Sequence, residues 1–174
     1  MAKLSFSKLN LKLPNEITKV IFNGQEIEIK NYLPLEDKLG IVGRILNLSA
    51  EDQKYYNVAK IEVYLALEIM YNYTNLTFTE KQKENVYKLY DLIISSGLYQ
   101  AIITEIPYDE TAFIKDILNR SIKSIYDYNN SALGILDSMT TDYNNLNFDI
   151  DSLQKKLSET EDLDFLKDVM TKLG

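Results

Sequence analysis

Cysteine, histidine and tryptophan are all missing from the 174 residues of this chain. Without cysteine there is no disulfide, no thiolate metal site and no thiol nucleophile. Without histidine, the Ser-His-Asp relay, the usual zinc ligands and the commonest general base near neutral pH are excluded. Without tryptophan, the best cation–π and stacking platform is gone. Catalysis could rest only on carboxylates, lysine or tyrosine. No run of about 18 apolar residues occurs, so the sequence offers no membrane span.

The first residues, MAKLSFSKLNLKLP, alternate apolar and polar positions and lack the continuous apolar core of a secretory signal. The expectation is a cytoplasmic product without a processed leader.

What is present fits one well-buried core. The composition is 45% hydrophobic and 26% charged, and the length is short for two domains. The net charge of -7 is unevenly spread. Residues 1–50 carry seven Lys/Arg against five Asp/Glu, residues 51–130 eight against twelve, and residues 131–174 four against nine. A net negative chain is repelled by phosphate backbones and no local basic patch reverses this, so direct nucleic-acid binding is not expected.

Along the chain, Leu4, Phe6, Leu9, Leu11 and Leu13 alternate weakly before Pro14, as an arm or an edge strand would. Next come two β-branched runs, Thr18–Phe22 and Gln25–Lys30, joined by Asn23-Gly24. Asn-Gly supplies the two positive φ angles of a type I′ turn, which predicts a hairpin. Ile27 and Ile29 alternate with Glu26, Glu28 and Lys30, so one face should be solvated.

Pro34 suits the first turn of a helix, followed by Glu36 and Asp37 at its positive end. Leu35, Leu39, Val42, Ile45 and Leu46 predict its core stripe. Gly40 and Gly43 read as packing positions rather than a ligand loop. After a polar link over Ser49–Asn57, the stretch from Val58 is so rich in apolar and aromatic residues that burial on several sides is expected. Glu62 and Glu68 fall on different faces, which argues against an acid/base pair. Glu68 is expected to find a Tyr or Lys partner or to be exposed.

Thr79-Glu80-Lys81-Gln82 is a capping box opening a helix with Val86, Leu89, Tyr90, Ile93 and Ile94 on one side. Gly97 closes it in the left-handed conformation, and Pro107 ends a short continuation. From Tyr108 a long pattern runs through Phe113, Ile114, Ile117, Leu118, Ile122, Ile125, Tyr126, Leu133, Leu136 and Met139, as one helix or two. Asp142–Asn147 reads as a loop; it lacks the glycine and closing glutamate of a calcium site. Two short amphipathic helices are expected between Asp149 and Gly174. The fold class is therefore mainly α: a single helical domain of about five to seven helices with an N-terminal β-hairpin. The expected segments are an arm over 1–16, the hairpin over 17–31 and the helical domain over 32–174.

The segments VIFNGQEIEIKNYLPLEDK (Val20–Lys38), LEIMYNYTNLTFTEKQK (Leu67–Lys83) and KLYDLIISSGL (Lys88–Leu98), with the closing LKDVMTKLG, resemble small proteins of tailed bacteriophages of low-GC Gram-positive hosts. That resemblance spans most of the chain and implies a virion component or assembly factor, located in the host cytoplasm during assembly or in the virion. It carries no catalytic motif.

The expected function is thus a non-catalytic head, neck or tail component or assembly chaperone, with other phage structural proteins or further copies of itself as partners. No cofactor, metal or membrane is called for. Thirteen tyrosines supply contact area at low rotamer cost, with about half of them expected in the core. Val20, Phe22, Asn23, Gly24, Ile27, Ile29 and Tyr32 are the expected interface, through edge pairing with another chain. The alternative is a phage-encoded inhibitor of a host or defence protein acting through the acidic C-terminal part. A carboxylate-dependent metal enzyme needs a convergence of acids that no local cluster suggests.

Overall fold

The computed structural model describes residues 3–51 and 55–144. These are mostly helical, with seven α-helices and an N-terminal two-stranded antiparallel hairpin, the class the sequence predicts. Contacts divide the chain into two compact units: one runs to Ser49 and resumes over Tyr56–Leu118, and the other holds Ala50–Tyr55 and the residues from Asn119 on. The helices expected over Asp149–Gly174 lie outside the described residues.

In the first unit, β1 (Ile17–Phe22) and β2 (Gln25–Lys30) pair with Val20 opposite Ile27 and Thr18 opposite Ile29. Asn23 and Gly24 have φ of 50° and 77°, as the predicted turn requires. Ile27 and Ile29 are buried, Ile29 completely, which stabilises the fold by about 2 kcal/mol per side chain. Among its described residues, the arm before β1 forms no strand: these are all exposed and hold one 3-10 turn, Phe6–Leu9.

Helix α1 (Leu35–Ser49) starts where Pro34 offers its carbonyl to the Lys38 N–H. Its buried face differs from the expected one. Lys38, Ile41, Val42, Ile45 and Ser49 point inward, while Leu35 and Leu39 are exposed and Leu46 is half-buried. The cause is Lys38, whose ammonium meets Glu110 inside the unit and rotates the stripe accordingly. Ala50–Glu51 (β3) and Tyr55–Tyr56 (β4) then pair as a minimal two-stranded sheet within the expected polar link.

Helix α2 (Val58–Tyr73) is capped by Asn57, whose side chain accepts from the Lys60 N–H. Every residue from Leu65 to Met70 is buried, as its composition predicts, and α1, α4 and α5 all pack on it. The next amphipathic stretch is two helices rather than one. Thr79 and Gln82 make the predicted capping box for α3 (Glu80–Glu84), which ends at Asn85. The Asn85 side chain accepts from the Lys88 N–H and opens α4 (Val86–Ser95). An asparagine able to bond its own backbone competes with the helix and interrupts it. Leu89 and Ile93 carry the buried side of α4, while Ile94 is exposed. Gly97 has φ of 78°, and α5 (Leu98–Ile103) follows.

The long pattern from Tyr108 also resolves into two helices, α6 (Tyr108–Asn129) and α7 (Ala132–Asn144). Ser131 sits at the break: its hydroxyl donates to the Tyr128 carbonyl and accepts from the Gly134 N–H. The expected stripe is corrected here, since Leu133 and Tyr126 are exposed and Ala132 and Ile135 are buried. Met139 lies within α7. Asp142–Asn144, expected in a loop, continue α7, and 145–147 lie outside the described residues.

Candidate functional site

Hydrogen-bond parity decides which residues of the hairpin face its neighbours and which face outward. The Asn31 N–H donates to the Glu16 carbonyl at 3.0 Å, in the same register that pairs β1 with β2. Thr18, Val20 and Phe22 therefore bond inward to β2, and Ile17, Lys19 and Ile21 turn their backbone groups to the outer edge of β1. On the far side, the outward groups of Glu28 in β2 are taken. The Asn75 N–H donates to the Glu28 carbonyl, and the Glu28 N–H donates to Asn75 Oδ1, each at 3.1 Å. Thr74, just before Asn75, forms a bridge with Ile29. Among the described residues no such partner meets the outer groups of Ile17, Lys19 and Ile21.

The outer face of the hairpin carries Ile17, Lys19 and Ile21 on β1 and Glu26, Glu28 and Lys30 on β2. Ile21 is 76% exposed and Ile17 53%. Lys19 is held back over β2 by Glu26 at 2.7 Å and Glu28 at 3.5 Å, and the hydrogen bond to Glu26 raises its pKa. In the arm before β1, Leu4, Phe6, Leu11 and Leu13 are each at least two-thirds exposed.

Of the seven residues expected to form an interface, Asn23 and Gly24 are exposed at the turn and Val20 and Phe22 are half-buried. Ile27 and Ile29 belong to the core. Tyr32 is half-buried with its ring 4.6 Å from the Lys38 ammonium. Apart from the turn and Tyr32, the expected residues thus lie on the inner row of the hairpin. Parity held the missing signal: if Ile27 is buried, its partner Val20 faces inward and Ile17, Lys19 and Ile21 face out.

Two polar networks lie inside the first unit. Glu110, in the first turn of α6, accepts from Lys38 Nζ at 2.7 Å on Oε1. Its Oε2 accepts from the Leu33 N–H at 3.0 Å and the Tyr73 hydroxyl at 3.1 Å. Burial, then the neighbouring Glu110, pushes the Tyr73 hydroxyl far above its ordinary pKa. The Lys38 ammonium also lies over the Tyr32 and Phe113 rings. One carboxylate thereby fastens the exit of the hairpin, α1, α2 and α6 together.

Glu68, expected to find a Tyr or Lys partner or to be exposed, is instead buried against Arg44. Arg44 donates through Nε and Nη2 at 2.7 to 3.1 Å, and Asn72 Nδ2 donates to Glu68 Oε2 at 2.9 Å. The Glu68 hydrogen bond raises the Arg44 pKa. Both oxygens of Glu68 are occupied, so the arrangement clamps α1 to α2. An open groove of about 490 Å³ lies alongside, bordered by Arg44, Asn72 and the edge-to-face pair Tyr71–Phe78.

Comparison with family models, with curated proteins and with solved structures finds no match for this chain. Among the described residues, no group of three or more acidic side chains is gathered as a metal would need. Among them too, no helix is long and apolar enough to cross a membrane.

Proposed function

We propose that this chain is a non-catalytic structural or assembly protein of a tailed phage, a head, neck or tail component or an assembly chaperone, working through protein–protein contacts. The observation that supports this most is the outer edge of β1, an unpaired strand edge flanked by exposed isoleucines. Strand edges of this kind are templates for another chain, and proteins usually blunt them. The exposed leucines of the arm add apolar surface of the sort interfaces cover. The phage context comes from the likeness carried by Val20–Lys38, Leu67–Lys83 and Lys88–Leu98.

Quantitative mass spectrometry of purified particles and of assembly intermediates tests the reading. The chain is expected in fixed stoichiometry in one or both. Its absence from both, together with unchanged particle yield when its gene is deleted, would sink the proposal.

A further inference from the structure

The geometry points to a second copy of this chain as the occupant of the open edge of β1. The two β1 strands pair antiparallel and join two hairpins into one four-stranded sheet. The inference rests on the contact-protein reading and adds the partner and the surface.

Three observations converge on a copy rather than a foreign partner. The first is hydrogen bonding. The outward N–H and C=O groups of Ile17, Lys19 and Ile21 alternate along the edge, and only another strand satisfies such a row in full. Two identical antiparallel strands do this about a two-fold axis, the commonest symmetry of oligomers.

The second is apolar matching. With Lys19 on the axis, Ile17 of each copy stands opposite Ile21 of the other. The two most exposed apolar side chains of the strand are then the ones that become covered. Cross-strand β-branched pairs of this kind are favourable sheet contacts.

The third is charge. The outer face of the hairpin bears Lys19 and Lys30 against Glu26 and Glu28, a neutral patch on a chain of net charge -7. A neutral patch offers nothing to a strongly basic or acidic partner, and it does not repel its own copy. In this register the row beginning at Lys30 runs through Ile17 and the facing Ile21 to the Glu26 of the other copy, with opposite charges at its ends. The two central lysines are each held back by their own Glu26 and Glu28. Lys19, the one residue placed to blunt the edge, is thus turned away from it.

Light scattering and sedimentation of the full chain up to about 0.1 mM, the range of weak association, test the inference. A dimer is expected, becoming a monomer in both Ile21→Lys and Lys19→Pro. The Lys19 N–H points away from β2, so proline there breaks no backbone bond of the hairpin and loses only the exposed side-chain pairing with Glu26 and Glu28, and edge strands tolerate it. At concentrations low enough for the wild type to be monomeric, both variants should keep its circular dichroism and thermal midpoint. Hydrogen exchange of the Ile17, Lys19 and Ile21 amides should slow in the wild-type dimer alone. A wild-type chain that stays monomeric, or a dimer that survives both substitutions, overturns the inference. A monomer still found in particles leaves the contact-protein reading standing, whereas a dimer absent from particles and intermediates removes that reading and keeps this one.

Discussion

Lys38 and Glu110, 72 residues apart in sequence, meet at 2.7 Å with only 9% and 11% of their side chains exposed. A buried pair of this kind does not stabilise much against a well-packed apolar alternative, but removing one member strands the other's charge. Glu110→Leu should therefore cost about 3–5 kcal/mol. The Lys38→Met, Glu110→Leu double variant should recover a large part of that loss. Urea unfolding of the two single variants and the double gives the coupling directly; strictly additive effects would contradict this account.

Gly134 is held by a close approach rather than by a turn. A Cβ there would stand 2.1 Å from the Tyr128 carbonyl oxygen, so the backbone of the α6–α7 connection would have to move. Gly134→Ala should destabilise by about 2 kcal/mol, in the range of overpacking. Gly43, within α1, meets nothing within 4 Å of the same built position. Gly43→Ala should therefore stabilise by about 1 kcal/mol through helix propensity. Thermal midpoints should shift in opposite directions.

Ser49 is completely buried, and its hydroxyl has no hydrogen-bond partner among the described residues. Leaving a hydroxyl dry and unpaired costs free energy that alanine would not incur. Ser49→Ala is expected to be neutral or stabilising by about 1 kcal/mol. A clear loss in chemical denaturation would show that the hydroxyl has a role the contacts do not reveal.

Tyr99 is pushed up to about 12 by burial first and then by Glu62 and Tyr90. Its folded value lies above its unfolded value near 10, so the neutral ring stabilises the folded state below about pH 10. That contribution is lost as pH rises through about 12. Tyr73, buried against Glu110, shifts in the same direction. Stability should fall steeply over this interval, and Tyr99→Phe should flatten the fall. The urea midpoint followed against pH, with tyrosinate absorbance in parallel, checks both.

The elements legible in the sequence are those specified by neighbours a few residues apart. Asn23-Gly24 dictates the hairpin turn, Thr79 and Gln82 cap each other, and Gly97 takes the left-handed position, all from local chemistry. The parts that were not legible depend on distant partners. Lys38 looks like a surface residue until Glu110 arrives, and its burial turns the face of α1 away from Leu35 and Leu39. Glu68 looks anomalous until Arg44, 24 residues earlier, closes on both its oxygens. The break at Asn85 had a local cue, an asparagine ahead of an apolar run, but one outweighed by continuous helical spacing. The hairpin itself was readable from Asn23-Gly24, while its outward row followed only once burial of Ile27 fixed the parity.

The bonds from Asn75 to Glu28 have a further consequence for how this chain can associate. A hairpin with both margins bare could accept strands on either side and grow without limit into fibrils. Here the middle of one margin, at Glu28, is already bonded from within the same molecule, so among the described residues the hairpin's longer open run is the β1 edge. Two copies that use that edge on each other leave no second β1 edge for a third, and such a pairing would be self-terminating.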